Sequence, residues 1–578
     1  MDQQGMVRSG MAALGMAAGL ALFLLSEIAG SGALSDRLLM MLLALCATFF
    51  TALLAMAGPL RLRRALLGAT VMALGVSGLL GIASLGFETV EGLLNSPQAV
   101  LGALVLGLVP MPFSIAAHGA GWRDYPTLFG ESWSIVVRYG AAWAFVALVW
   151  AVILLSDALL RIVGITLIEA LLDLGPMPWL ITGGGLGLGM AVVQELSEYV
   201  SPYVILRLLR LLLPVVFGVS VVFLLALPVR GIEGLFGTFS FALTLLAMAG
   251  AAATLVTTAV DQDDAQATQS RILANTARAM AILLPVMSAL GAWAVWQRVA
   301  QYGWTPERLF AAEIAVLGLG YGFLYAIAAL RGQGWMARVR QANVWMALAL
   351  MAMAVLVMTP ILSAERISTN SLMARLDDGR LPVDSLDPGL LSRWGRYGAE
   401  ARAVLEARAL EPGQETLAAR LAEVPVNSSG APDRAALLSE LAQTLPLQPA
   451  GAAATRDIYL NVMDDWRLQT LRDSCALQMP GGGKGCVMVV ADLLPSLPGE
   501  EAMLVAYTPS GYVEFTGFKM DLDAGPMLRD VVAADTALPQ YDAGADLIRA
   551  WQLAPPPAVQ RQMNQFNLPE GGALMLLP

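Results

Sequence analysis

Three ionisable residues occupy positions where ionisable residues are costly. Glu27, Arg298 and Glu313 lie in or at the ends of long runs of Ala, Leu, Val, Ile and Met. Charged groups within a bilayer are rare, face the bundle interior or a water-filled cavity, and mark substrate or ion pathways. All three fall on the outer side of the topology expected below, so they predict one polar cavity open to the periplasm. The plainer expectation is an Arg298–Glu313 pair that fixes the packing of two neighbouring helices. Glu313 follows Thr305 by eight positions, roughly 12 Å along a helix rising 1.5 Å per residue.

Other residue types able to do chemistry are sparse. The one histidine, His118, cannot build a His-paired zinc site, and no acid near it would orient its ring for catalysis. The stretch Gly481 to Cys486 has a Gly-Lys pair, but Gly485 stands where a phosphate-binding loop needs Ser or Thr. The glycines from Gly183 to Gly189 sit inside an apolar run with no preceding strand. They form small-xxx-small pairs suited to close helix packing. No catalytic residue, metal site or cofactor is expected, and the chain is not expected to be an enzyme. Cys475 and Cys486 flank a glycine-rich segment able to close on itself, which predicts a disulfide and an oxidising compartment.

These residues are held by a chain that is 57% hydrophobic and 14% charged. Soluble domains carry roughly 25% charged residues. The apolar residues cluster in runs of about 20, the length that crosses a bilayer. Eleven spans are expected, at roughly 11–29, 38–57, 65–86, 99–117, 135–156, 179–197, 211–229, 238–260, 279–301, 309–330 and 342–362. The sixth is the weakest. The stretch before it, Ser156 to Asp173, alternates charges with Leu and Ile and reads as a helix lying on the membrane surface.

With the N-terminus in the cytoplasm, 13 arginines of the first 362 residues face inward and 5 face outward, as the positive-inside rule requires. The odd number of spans then places residues 363–578 in the periplasm of a bacterial inner membrane. That segment holds 27 acids and 17 bases, so the entire net charge of −10 resides there. Such a balance argues against nucleic acid as a partner.

The stretch QYGWTPERLF (301–310) reads physically as a tight hairpin between two spans. Thr305 is a good N-cap, Pro306 suits the first helical position, and Tyr302 and Trp304 fit the interfacial aromatic belt. It also resembles the Tyr-Gly-x-Thr-x-x-Arg hairpin of domain-of-unknown-function family 4153, a group of uncharacterised bacterial multi-pass membrane proteins. Two further stretches resemble that family: ISTNSLMARLDDG (367–379) and GRYGAEA (395–401). The resemblance implies a helical membrane domain followed by a soluble tail. It implies no activity and no catalytic residue. It also implies an acid-rich loop between two strands of the tail. Here Asp492, Glu500 and Glu501 remain, but Leu494 and Ser496 stand where other acids would complete a calcium site.

The expected architecture is therefore mainly α. Residues 1–362 form a polytopic helical bundle, and 363–578 form a small soluble α+β domain. In the tail, helical spacing covers 400–409, 416–424 and 435–445, and strand text covers 487–491, 503–507, 512–519 and 573–577. The lipid bilayer is the expected partner, with small solutes or envelope proteins beside it. The expected function is envelope transport through the polar cavity. The alternative is a membrane-anchored scaffold or sensor whose exported domain binds a partner.

Overall fold

The computed structural model describes residues 3–195, 202–230, 239–423, 434–479, 482–495, 499–508, 512–521, 525–531, 541–554, 556, 565–568 and 572–575. It divides into two compact units, Met1–Val426 and Asn427–Pro578. The first unit thus extends well past the last apolar run, through four helices of ordinary polarity.

The first unit begins with α1 (Gln3–Ser31), α2 (Asp36–Met56), α3 (Leu62–Ser84) and the short α4 (Val90–Leu94). Then come α5 (Pro97–Leu108) and α6 (Pro110–Ala117), which together make one apolar rod, and α7 (Tyr125–Ile162). The short α8 (Leu167–Leu172) leads to α9 (Met177–Glu195), α10 (Pro202–Arg230) and α11 (Phe239–Val260). Next are α12 (Arg271–Tyr302), α13 (Pro306–Leu330) and α14 (Trp335–Val357). The unit closes with α15 (Ala364–Asp377), α16 (Pro388–Arg393), α17 (Gly395–Ala409) and α18 (Glu415–Glu423). The stretch expected as a surface helix, Ser156 to Asp173, divides between the last turns of α7 and the short α8. Nothing breaks the helix before Gly164 at φ 76°, and Arg161 pairs with Asp157 one turn back at 2.8 Å.

Among the described residues, ten helices are long and apolar enough to cross a membrane. The expected sixth span, α9, is not one of the ten. Its five glycines, with Pro178, Trp179 and Gln194, dilute its hydropathy. Yet α9 lies antiparallel along α1 in intimate contact. A Cβ placed on Gly15 would meet the Gly183 carbonyl oxygen at 2.0 Å, and one on Gly19 would meet the Trp179 carbonyl oxygen at 2.1 Å. A Cβ on Gly187 would meet the Met11 carbonyl oxygen at 2.1 Å. Arg8 and Glu195 close the same seam with an ion pair. Small residues, glycine above all, let backbones approach this closely.

The second unit contains α19 (Arg434–Thr444), β1 (Leu447–Gln448), α20 (Ala453–Leu460) and α21 (Asp465–Ala476). It continues with β2 (Cys486–Ala491), β3 (Glu501–Tyr507), β4 (Val513–Asp521), β5 (Gly525–Asp530) and α22 (Tyr541–Leu553), and ends with the separate hairpin β6 (Gln565–Leu568) and β7 (Gly572–Met575). The main sheet runs β1-β2-β3-β4-β5 and is antiparallel except for the β1–β2 pair. Cys486, Met488 and Val490 point into a core with Leu441, Leu468 and Leu471 of α19 and α21. Val487 and Val489 point the other way, onto Ala545 and Ile548 of α22. Burial on both faces is why β2 reads as an unbroken apolar run rather than an alternating one.

Cys475 at the end of α21 and Cys486 at the start of β2 are joined by a disulfide, their Cα atoms 4.8 Å apart. Between them, Lys484 donates to the Thr444 carbonyl at 2.7 Å, so the Gly-Lys pair ties a turn to α19. Replacing both cysteines with serine should lower the stability of this unit by about 3 kcal/mol, the loop-closure value for so short a ring. Denaturant unfolding of the full chain, followed by a probe on β2, would show it. The stretches 426–433 and 509–511, both of turn-forming composition, lie outside the described residues; the Thr508 N–H donates to the Tyr512 carbonyl at 2.8 Å.

Candidate functional site

The α12–α13 hairpin is built from local chemistry. Thr305 has extended backbone, and its hydroxyl accepts the Arg308 N–H at 3.4 Å. Gly303 ends α12 at φ 81°, a conformation that side chains disfavour. A Cβ there would also stand 2.7 Å from Cδ of Arg375. Arg375 comes from α15, as does Ser371. The Trp304 N–H donates to the Ser371 hydroxyl at 3.1 Å, and Arg375 donates to the Gln301 carbonyl at 2.7 Å. Arg308 folds back to donate to the Gly303 carbonyl at 2.8 Å. The hairpin and the stretch 367–379, two of the three segments behind the family resemblance, are thus parts of one joint. In the third segment, the Arg396 N–H donates to the Gly86 carbonyl at 3.0 Å and ties α17 to the end of α3.

Tyr302 carries two cations at its ring: the Arg298 guanidinium lies 5.4 Å and the Arg308 guanidinium 5.5 Å from its centroid. Arg298 therefore belongs to the hairpin cluster, and no ion pair joins it to Glu313 among the described residues. Glu313 lies deeper on α13, with one carboxylate oxygen enclosed and without a hydrogen-bond partner. Its electrostatic neighbour is another carboxylate, Glu365 at the start of α15. Glu365 is buried and accepts the Ser363 hydroxyl at 3.1 Å. Burial pushes its carboxyl above the ordinary range, opposed by hydrogen bonds from its own backbone N–H and from Ser363. It lines a cavity of about 300 Å³ shared with Gln98, Arg396 and Glu400. Glu27 is exposed on α1, which packs on α9 and α2. Among the described residues no hydrogen bond or ion pair joins it to Glu313.

A larger cavity lies elsewhere. About 620 Å³ opens between the α5–α6 rod, α7, α11, α13 and α14. Its wall is mostly apolar, with Val109, Phe113, Phe129, Val136 and Ala253 among the lining residues. One polar patch interrupts it. Asn343 donates to the Tyr125 hydroxyl at 2.9 Å and accepts from Tyr325, whose hydroxyl also meets Thr257 at 2.7 Å. Binding sites for small amphipathic molecules share this design, apolar walls with a few convergent polar groups, at volumes of about 300–1,000 Å³. Sequence reading missed this site. The available signal was polar side chains inside apolar runs: Tyr321, Tyr325 and Asn343.

Two charges that sequence position assigns to a solvated surface, Arg138 and Asp261, are buried and paired instead, while Glu195 pairs with Arg8 at the surface. Arg138 lies 3.6 Å from Glu131. Asp261 is fully buried and pairs with Arg210. Two arginines clamp this end of α11. Arg210 donates to the Thr258 carbonyl at 2.7 Å, and Arg340 donates to the Asp261 and Val260 carbonyls at 3.1 and 2.8 Å. His118 merely donates back to the Ser114 carbonyl at 2.8 Å. In the tail, Glu501 accepts the N–H groups of Leu493 and Leu494, each at 2.9 Å. That carboxylate shapes the β2–β3 loop, and no acid, histidine or cysteine cluster fit for a metal occurs among the described residues.

Ten long apolar helices, packed through glycine seams and buried ion pairs, are the features of a multi-pass membrane protein. No protein-family model, curated protein or solved structure matches the chain.

Proposed function

We propose that this protein is a bacterial inner-membrane transporter that takes the apolar part of an amphipathic, lipid-like molecule between its helices. The observation that carries this reading is the 620 Å³ apolar cavity with its Tyr125–Asn343 hydrogen bond. The walls suit a hydrocarbon chain, and the amide and hydroxyls suit one polar group. The polar cavity expected around Glu27, Arg298 and Glu313 gives way here to a site lined by other residues. Glu313, enclosed and unpaired, remains suited to carrying a proton.

The topology proposed with it has eleven spans, a cytoplasmic N-terminus and a periplasmic second unit. Antiparallel packing of α9 on α1 supports counting α9, since a 19-residue helix reaches about 28 Å. The arginine asymmetry and the Cys475–Cys486 disulfide agree with that orientation. Membership of domain-of-unknown-function family 4153 is proposed on the same footing, supported by the contact between two of its motif-like segments.

Gly250 offers a clean test. It lines the cavity, and a Cβ added there meets nothing within 4 Å. Gly250→Trp should place its Cβ without a clash and put the indole's bulk at the cavity wall. Native mass spectrometry of the purified chain should then show retained amphiphile reduced about tenfold, equivalent to about 1.4 kcal/mol of lost binding. Equal retention by both proteins, or none by the wild type, would remove the basis of the proposal.

A further inference from the structure

We propose that the pocket between the α12–α13 hairpin and α15 is a binding site for a phosphate-bearing group. This inference is independent of the larger cavity, which is lined by different residues. The pocket has a volume of about 200 Å³ and is lined by Tyr302, Trp304, Arg308, Ser371, Arg375 and Ser385, among others. Arg308 and Arg375 each spend one donor on a hairpin carbonyl. A guanidinium has five N–H donors, so each keeps several for a ligand. Those single bonds hold the two forks in place, which lowers the ordering cost of binding.

The charge balance points to an anion. Arg298, Arg308 and Arg375 lie close enough that each of the other two cations acts on Arg308. Two carboxylates are near. Asp387 lines the pocket, but one of its oxygens accepts the Gly389 N–H at 2.9 Å. Glu307 also acts on Arg308, with an effect smaller than that of Arg298 and larger than that of Arg375. Among the described residues neither Arg308 nor Arg375 has a carboxylate within ion-pair distance. Paired arginine forks match tetrahedral phosphate oxygens in bidentate fashion. The hydroxyls of Ser371 and Ser385 add small polar groups at the same wall. Tyr302 and Trp304 belong to the residue types that collect where lipid headgroups lie. The phosphate therefore comes either from a phospholipid headgroup or from solution.

The test uses the full chain, purified in detergent and stripped of lipid, titrated with inorganic phosphate in one arm and dihexanoyl-phosphatidylglycerol in the other. Wild type should bind at least one of the two. Arg308→Gln and Arg375→Gln should each weaken that binding by about tenfold or more, the value of a lost charge-assisted bond. Arg331→Gln, at the far end of α13, should leave it unchanged. Arg308→Lys guards against a folding defect, since it keeps the charge and should weaken binding less than glutamine. Binding in the phosphate arm supports a soluble phosphate, and binding only in the lipid arm supports a headgroup. No binding in either arm, or glutamine variants that bind as wild type does, overturns the site.

Discussion

Gly15→Leu is expected to force α1 off α9 and to destabilise the first unit by more than about 3 kcal/mol, beyond ordinary overpacking. The obstacle is backbone rather than a movable side chain. The new Cβ would lie 2.0 Å from the Gly183 carbonyl oxygen and 3.0 Å from the Gly187 nitrogen, so neither helix can yield locally. Separating the helices would also pull apart the Arg8–Glu195 pair at one end of the seam. Gly10→Leu is the matched control. It lies on the same helix, and a Cβ there meets nothing within 4 Å. Thermal unfolding in detergent should show a large drop for the first variant and almost none for the second. Equal behaviour would break the α1–α9 pairing, and with it the argument for α9 as an eleventh crossing.

Asp261→Ala should cost about 3–5 kcal/mol, the usual penalty for leaving one member of a buried ion pair behind. Asp261 is fully buried, and its carboxylate holds Arg210 and the Gln262 N–H. Its backbone adds a second strain, because φ is 52°, a region aspartate tolerates better than alanine. Asp261→Asn should cost less. It keeps one acceptor oxygen and the left-handed preference, but loses the charge and turns an amide NH2 toward either Arg210 or the Gln262 N–H. Combining Asp261→Asn with Arg210→Met should destabilise by less than the two single effects added together, since the double variant leaves no buried charge unmatched. A double-mutant cycle on purified protein measures that difference. Strict additivity would show that Arg210 and Asp261 do not depend on each other.

The same clamp shows where sequence reading reaches its limit. Asp261 follows an apolar run, and position along the chain assigns it to a solvated surface. Burial depends instead on Arg210 and Arg340, which arrive from α10 and α14. The hairpin is a mixed case. Its cap, its proline and its glycine turn are legible because each acts within a few residues. Its docking onto Ser371 and Arg375 is not, because the partners lie on α15. In the tail, the strands predicted at 487–491, 503–507 and 512–519 fall on β2, β3 and β4, since strand character is carried by runs of adjacent residues.

Local sequence determined the class of this protein: apolar runs as long as a bilayer is thick, separated by arginine-bearing turns and followed by a mixed helical and stranded tail. Hydropathy sums over neighbouring residues, so tertiary contacts are not needed to read it. The grouping of Glu27, Arg298 and Glu313 was inferred from depth alone. Depth places a residue along the membrane normal but leaves its direction around the bundle open. Only helix packing settles that direction, and it placed Arg298 with Tyr302, Glu313 with Glu365, and the apolar cavity of about 620 Å³ beside Tyr125 and Asn343.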